Sequence, residues 1–465
     1  MKTKTISTFA LFLLISGAID SLRNLPATAL FGSSLIFFLI FAAIVFLIPV
    51  ALVSAQLGSS STKHSGIYAW VSEAFGEKMG FIAIWLQWIN TMVWYPTILS
   101  FIAATLAYVI NPHLAQNKEY LITVILVTFW LLTFINLKGL HFSTRFTNIC
   151  AIVGVLIPVV FVIGLAVLWI AQGHLLQIHF TEQSVLPSLH HSQSWISLTA
   201  IMAAFLGVEL ASVHAKEVKD SQKAFPKALL FSIVFILITM AGGALAIAFV
   251  LPKGQINLVS GIMQVFQSFF ATYHLQWMTP ILAMMVLLGS LGGMINWIIS
   301  PAKGLLHAGK TGYLPKYMTK ENKHGVANRI LILQAILVSF ICLAFLLMPS
   351  VNGSYWLLTD LSTQLYMLMY VLLFFAAIAL FAKHKIKSGF KIPGGKMGTW
   401  LVSGLGLTGC VITLVVGFFP PSTINVGGVA HYETVFVLGM VVMLLPVVGF
   451  LIYRAMNKNF LQAPF

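Results

Sequence analysis

The stretch Ser16-Gly-Ala-Ile-Asp20-Ser-Leu-Arg23-Asn-Leu-Pro26 decides how the rest of the chain is to be understood. It sets an acid and a base, three residues apart, inside an apolar run from about residue 6 to residue 30. A charged side chain at the middle of a bilayer costs about 2.5–3.5 kcal/mol on insertion scales. Gly17 and Pro26, both poor helix formers, flank the two charges. The sequence therefore predicts a helix that breaks near Asp20 and restarts near Pro26. The apolar piece from Phe9 to Ile19 would give roughly 16 Å of helix, half the hydrocarbon thickness. Pro26 suits the first turn of the restarted half, where its missing N–H would have no partner anyway.

Two chemistries fit this break, and they are compatible. Asp20 and Arg23 can neutralise each other as a structural ion pair. Alternatively, free N–H groups around residues 21 to 24, at the positive end of the second half-helix, can receive a carboxylate, with Arg23 adding formal charge. Ala18, Ile19, Asp20, Ser21 and Arg23 are the candidate binding residues here.

Outward from this stretch, the chain is 465 residues long, 59% apolar and 8% charged, against roughly 25% charged in soluble proteins. That balance excludes a soluble enzyme, a nucleic-acid-binding domain and a disordered chain. Apolar runs fall near residues 6–30, 34–58, 78–110, 120–138, 146–172, 194–214, 227–251, 276–307, 329–348, 354–382, 399–419 and 432–453. Each is long enough to span a bilayer, so the expected fold is an all-α integral membrane protein with twelve transmembrane helices. The first run continues past Pro26 without a small-residue cleavage site, which fits a first helix rather than a signal peptide. Cys150, Cys342 and Cys410 all lie within apolar runs and offer neither a disulfide framework nor a zinc site.

With twelve spans, 23 of the 26 basic residues share the side of the termini, only Lys118 and Lys253 lie opposite, and Arg23 lies within a span. The positive-inside rule then puts both termini in the cytoplasm. Much of the net charge of +15 records that orientation.

The sixth run repeats the disturbance of the first. Trp195 to Leu206 is apolar, and Gly207-Val-Glu209-Leu-Ala-Ser212 interrupts it with a second acid. An offset of five spans reverses direction in the membrane, as two inverted five-helix repeats would, with broken helices meeting around a midplane site. The expected division is residues 1–172 for helices 1–5, 194–382 for helices 6–10, and 399–456 for two extra helices.

Several short motifs, taken in order, resemble those of the amino acid–polyamine–organocation transporters. They are Gly66-Ile-Tyr-Ala-Trp70, Gly207-Val-Glu209 with Glu217 and Phe225-Pro-Lys-Ala228, Pro301-Ala-Lys-Gly304, and Phe390-Lys-Ile-Pro-Gly-Gly-Lys396. With Ile256-Asn-Leu-Val-Ser-Gly-Ile-Met-Gln264, the chain is most similar to the bacterial glutamate/γ-aminobutyrate antiporter group within that superfamily. The resemblance covers nearly the whole chain. It implies a LeuT-like 5+5 fold, alternating access, exchange of amino acids, and a multi-pass location in the bacterial inner membrane. It also implies that Gly207 and Glu209 form the helix 6 side of the pocket, that Trp297 lines the path, and that Tyr366 and Tyr370 form a tyrosine pair on helix 10. Spaced by four, those two rings face the same way; a packed aromatic seam would be the plainer explanation for such rings alone, and the resemblance favours the pocket role over it. No cofactor, metal or nucleic acid is implied. The expected partners are a small amino acid and membrane lipid, with a homo-oligomer left open.

The departures from that group carry information too. Arg23 stands where the antiporters have an aromatic residue, and Asp20 and Asp360 add acids within the spans. Arg23 would favour an anionic substrate, the three acids an amine. Helix 5 has no lysine between Asn148 and Ile170, so it offers no buried amine in place of a coupling sodium, which favours exchange over proton symport. About a dozen residues follow helix 12, few for a C-terminal plug.

Other features fit plain roles. His190 and His191 fall on an outer loop and could sense acid. Lys383, Lys385, Lys387 and Lys391 suit contact with anionic lipid. Gln87 and Asn90 could reach a substrate or bond between helices. The alternatives to antiport are a proton-coupled amino acid or amine symporter and a non-transporting membrane sensor. A major-facilitator fold is disfavoured by the short link between helices 6 and 7.

Overall fold

The computed structural model describes residues 7–19, 21–59, 66–139, 144–187, 195–212, 221–383 and 390–456. Asp20, His190, His191, Glu217, Lys385 and Lys387 lie outside the described residues. Every regular element is helical, and no strand occurs among the described residues. Among the described residues, ten helices are long and apolar enough to cross a membrane. In chain order with the shorter helices between them, the elements are α1 (Thr8–Ile19), α2 (Leu25–Ala29), α3 (Gly32–Ser59), α4 (Ile67–Phe75), α5 (Glu77–Ile110), α6 (Lys118–Leu137) and α7 (Ile149–Ala171). Next come α8 (Leu198–Ala204), α9 (Val208–Ser212), α10 (Pro226–Val250), α11 (Gly261–Thr272), α12 (Gln276–Tyr313) and α13 (Asn328–Leu347). The chain ends with α14 (Val351–Ala382), α15 (Gly395–Val416) and α16 (Val429–Met456).

Large apolar side chains stand exposed along these helices, among them Val127 and Leu131 on α6, Val160 and Val167 on α7, and Leu438 and Leu445 on α16. An apolar exterior on so many long helices is the surface of a protein solvated by lipid tails. In lipid, helix association depends on close packing rather than on water exclusion. Gly154 of α7 and Gly289 of α12 meet backbone to backbone: a Cβ built on Gly289 would lie 2.6 Å from the Gly154 Cα. Gly409 of α15 lies equally close to the Val45 carbonyl of α3, with 2.5 Å left for a Cβ. That carbonyl would normally accept from residue 49, which is Pro49 and has no N–H. The helix widens into a π turn over Ala43–Leu47 just before it.

The two disturbances expected from the sequence occur at the stated places. α1 ends at Ile19, Ser21 is extended (φ −144°, ψ 127°), a 3-10 turn covers Leu22–Asn24, and α2 follows with Pro26 in its first turn. α8 and α9 are separated by a turn in which Gly207 has φ +97°, a conformation that residues with a Cβ rarely adopt. α8 packs against the Leu22–Asn24 turn and α1 against α9, so the two breaks are neighbours. The central long helices α5 and α14 pack extensively on each other beside them.

Candidate functional site

Glu209, in the first turn of α9 and 2% exposed, sits at the second break. Three donors from two other helices converge on its carboxylate. Tyr366 Oη of α14 donates to Oε1 at 2.5 Å, and Gln87 Nε2 of α5 donates to the same oxygen at 3.2 Å. Tyr370 Oη donates to Oε2. An ionised carboxylate is acceptor-only, and three donors match that form. Tyr366 and Tyr370 lie one turn apart on α14, ring centroids 5.0 Å apart at 73°. Phe46 of α3 packs edge-on to Tyr370 at 5.1 Å and completes the wall.

Gly207 takes part through its backbone. Its N–H, freed by the break, donates to Tyr370 Oη at 3.0 Å. One tyrosine hydroxyl thus holds both the carboxylate and the broken backbone of this segment. The tyrosine pair that the resemblance implied is a hydrogen-bonding unit rather than only an aromatic seam.

Arg23, 5% exposed, occupies the first break. Its Nη1 donates to Thr97 Oγ1 at 2.5 Å, and its guanidinium carbon lies 5.4 Å from the Trp94 ring centroid. The buried Nε has no partner among the described residues. Tyr355 Oη donates to the Arg23 carbonyl at 3.4 Å, so α14 touches both breaks. Of the N–H groups expected to be free here, that of Asn24 bonds to the Ser21 carbonyl at 3.1 Å. Ser21 provides no side-chain cap. Ala18 and Ile19 are the last residues of α1, and Asp20 lies outside the described residues.

Trp297 of α12 is half-buried. Pro301 lies within that helix and cannot donate to the carbonyl four residues earlier, which belongs to Trp297. Tyr95 Oη supplies the missing donor at 2.8 Å. The Trp297 ring lies 5.5 Å from Trp94, so Trp94 touches both Arg23 and Trp297.

α5 is therefore the common element. Gln87, Asn90, Trp94 and Thr97 recur every three or four residues and share a face. Gln87 reaches Glu209, while Trp94 and Thr97 reach Arg23, about 10 Å and 15 Å further along the helix. Asn90 accepts from Ser362 Oγ of α14 at 3.2 Å and bonds its own helix at the Gln87 carbonyl. It is a packing contact. Trp94 and Thr97 were not singled out in the sequence, although their spacing from Gln87 was a usable signal.

Asp360 needs a correction. The sequence grouped it with Asp20 and Glu209 as pocket acids. It lies on α14 but turns to the other side, where Tyr432 of α16 donates to it at 2.6 Å and Gln364 at 3.1 Å. A residue six positions before Tyr366 is rotated by about 240° on a helix, which takes it off the Glu209 face. No group of three or more metal-ligating side chains occurs among the described residues.

Comparison with known proteins adds the following. A family model described as amino acid permease matches residues 6–445. An uncharacterized transporter of Legionella pneumophila is 41% identical over 439 residues, 94% of each chain. A glutamate/gamma-aminobutyrate antiporter of Lactococcus lactis is 28% identical over 466 residues, covering 99% of this chain and 92% of its own. A probable agmatine/putrescine antiporter of the same species is 25% identical over 351 residues, 75% of this chain and 73% of its own.

Proposed function

This chain belongs to the amino acid permease family, and we propose that it is a secondary active amino acid antiporter of the bacterial inner membrane, working by alternating access. On this proposal the chain crosses the membrane twelve times with both termini in the cytoplasm. Its interrupted helices are the first members of two inverted five-helix repeats, residues 1–172 and 194–382, and α15 and α16 stand outside them. The substrate is a small amino acid of the glutamate/γ-aminobutyrate type or a relative. Ala18, Ile19, Asp20, Ser21 and Arg23 receive its carboxylate, and Gly207 with Glu209 receives its amine. Trp297, Tyr366 and Tyr370 line and gate the path.

The observation that carries this proposal is the pairing of two buried opposite charges at two neighbouring helix breaks, Arg23 at one and Glu209 at the other. A zwitterion presents the complementary pair of charges. Charged residues within the membrane are costly and mark transport paths. A substrate touching both breaks ties the first repeat to the second, so binding energy becomes available for the rocking motion. No covalent chemistry is required. The glutamate/gamma-aminobutyrate antiporter of Lactococcus lactis, matched over 92% of its own length, supports exchange.

The test uses purified protein in liposomes, loaded with one amino acid and offered a labelled panel outside, with and without a pH gradient. Uptake that requires internal substrate supports exchange. Gradient-driven uptake into empty vesicles would replace it with proton symport, and no uptake under any condition would favour a sensor.

A further inference from the structure

Asp360 is fully buried, and no Lys, Arg or His is paired with it among the described residues. Its partners are neutral and come from its own helix and one neighbour: Tyr432 of α16 donates to Oδ2, and Gln364 of α14 donates to Oδ1. The same Gln364 Nε2 also donates to the Thr413 carbonyl of α15 at 2.9 Å. Gly417, at the end of α15, sits directly over this pair, with only 2.6 Å left between a built Cβ and Asp360 Oδ1. The acid therefore joins α14, α15 and α16 at one point, away from the Glu209 cluster.

A polar atom beside it has no partner among the described residues: Gln364 Oε1 is buried and unbonded. That atom is the acceptor a protonated Asp360 would need. A turn of the Gln364 amide would let Oε1 accept the new O–H. The Thr413 carbonyl would lose Nε2 but would keep the N–H of Gly417 at 3.0 Å. Both protonation states thus find partners, and they differ in whether Gln364 ties α14 to α15. The remaining titratable groups at this depth do not compete. Tyr432 faces Asp360, His431 bonds to the Leu347 carbonyl at 3.0 Å, Glu433 is partly exposed, and α15 contributes Thr413 and Gly417 here. Access is short. Tyr432 lies three residues into α16, and Gly417 follows the last residue of α15. The cluster is therefore about one turn, roughly 5 Å, beneath the 417–428 loop.

We propose that Asp360 is a proton-binding site, separate from the substrate site, through which acid on the face of the 417–428 loop accelerates exchange. The proton sits on the carboxylate, releases the Gln364–Thr413 tie, and lets α14 move relative to α15. Because α14 also carries Tyr366 and Tyr370, that freedom reaches the Glu209 cluster. The consequence for exchange rests on the antiport proposal; the titration of Asp360 does not.

The test is Asp360→Asn, which copies the protonated form in shape and bonding: its amide can donate to Gln364 Oε1 and its oxygen can accept from Tyr432. Exchange by wild-type proteoliposomes should rise as outer pH falls from about 8 to about 5. D360N should exchange at the wild-type acid rate, within about twofold, across that range. A flat wild-type profile, an unchanged profile in D360N, or folded D360N that never exchanges would each overturn the proposal. Tyr432→Phe removes a donor to the ionised form and should move the profile up by about one pH unit; no shift would count against it. Infrared difference spectra of the purified protein across the same pH range need no substrate. A titrating carboxylic-acid band lost in D360N and kept in Glu209→Gln supports the site even if exchange itself fails, and a band unchanged in D360N overturns it.

Discussion

Tyr366 and Tyr370 lie on one face of α14 and both donate to Glu209, yet their removal should not cost the same. Tyr366→Phe deletes one bond to the carboxylate, and Gln87 Nε2, which also touches Tyr366 Oη at 3.4 Å, keeps its bond to Glu209. Hydrogen bonds to charged groups contribute about 1.5–3 kcal/mol. Tyr370→Phe deletes the corresponding bond and in addition strands the buried N–H of Gly207, at a further cost of about 1–3 kcal/mol. Neither change alters ring packing, so Tyr370→Phe should be the more destabilising by that last amount. Unfolding of the purified variants by titration with SDS measures the difference directly, and exchange rates in liposomes should fall in the same order. If Tyr366→Phe proves equally or more destabilising, the hydroxyl of Tyr370 does not hold the broken segment in the way its bonds indicate.

Three further outcomes follow from the same geometry. Arg23→Ala should reduce exchange more for substrates with a second carboxylate than for neutral ones, measured as the ratio of kcat/KM; an equal loss for both would leave Arg23 as a packing partner of Thr97 and Trp94. Tyr95→Phe should strand the Trp297 carbonyl that Pro301 leaves free, costing about 1–3 kcal/mol in SDS unfolding, and an unperturbed midpoint would contradict that role. Gly289→Val should force α7 and α12 apart at the Gly154 contact, lowering thermal stability by about 1–3 kcal/mol or more, whereas Gly293→Val, at a glycine with nothing within 4 Å of a built Cβ, should be tolerated far better.

Hydrophobicity made the long helices legible before any coordinates, because each span must carry about 20 apolar residues in succession. The two breaks were legible for the same reason in reverse: Gly17, Pro26, Gly207 and the charges beside them contradict an uninterrupted span. The rotation of α14 was not. Asp360 and Tyr366 both read as polar positions on one helix, and only packing against α5 on one side and α15 and α16 on the other separates them. The bond between Arg23 and Thr97 joins residues 74 apart in sequence, and no local pattern encodes such a contact. Tyr95 is an intermediate case. Pro301 announces a free carbonyl at Trp297, but the donor that fills it comes from α5, and only the fold selects it.

On the proposed antiport mechanism Glu209 holds the substrate amine, and a single comparison tests this most directly. Counterflow KM is measured for an amino acid and for its analogue lacking the amine, in wild type and in Glu209→Gln. The wild type should favour the amino acid strongly, and Glu209→Gln should lose most of that preference while still binding the analogue. Equal discrimination by the two proteins would place the amine elsewhere and remove Glu209 from the binding site.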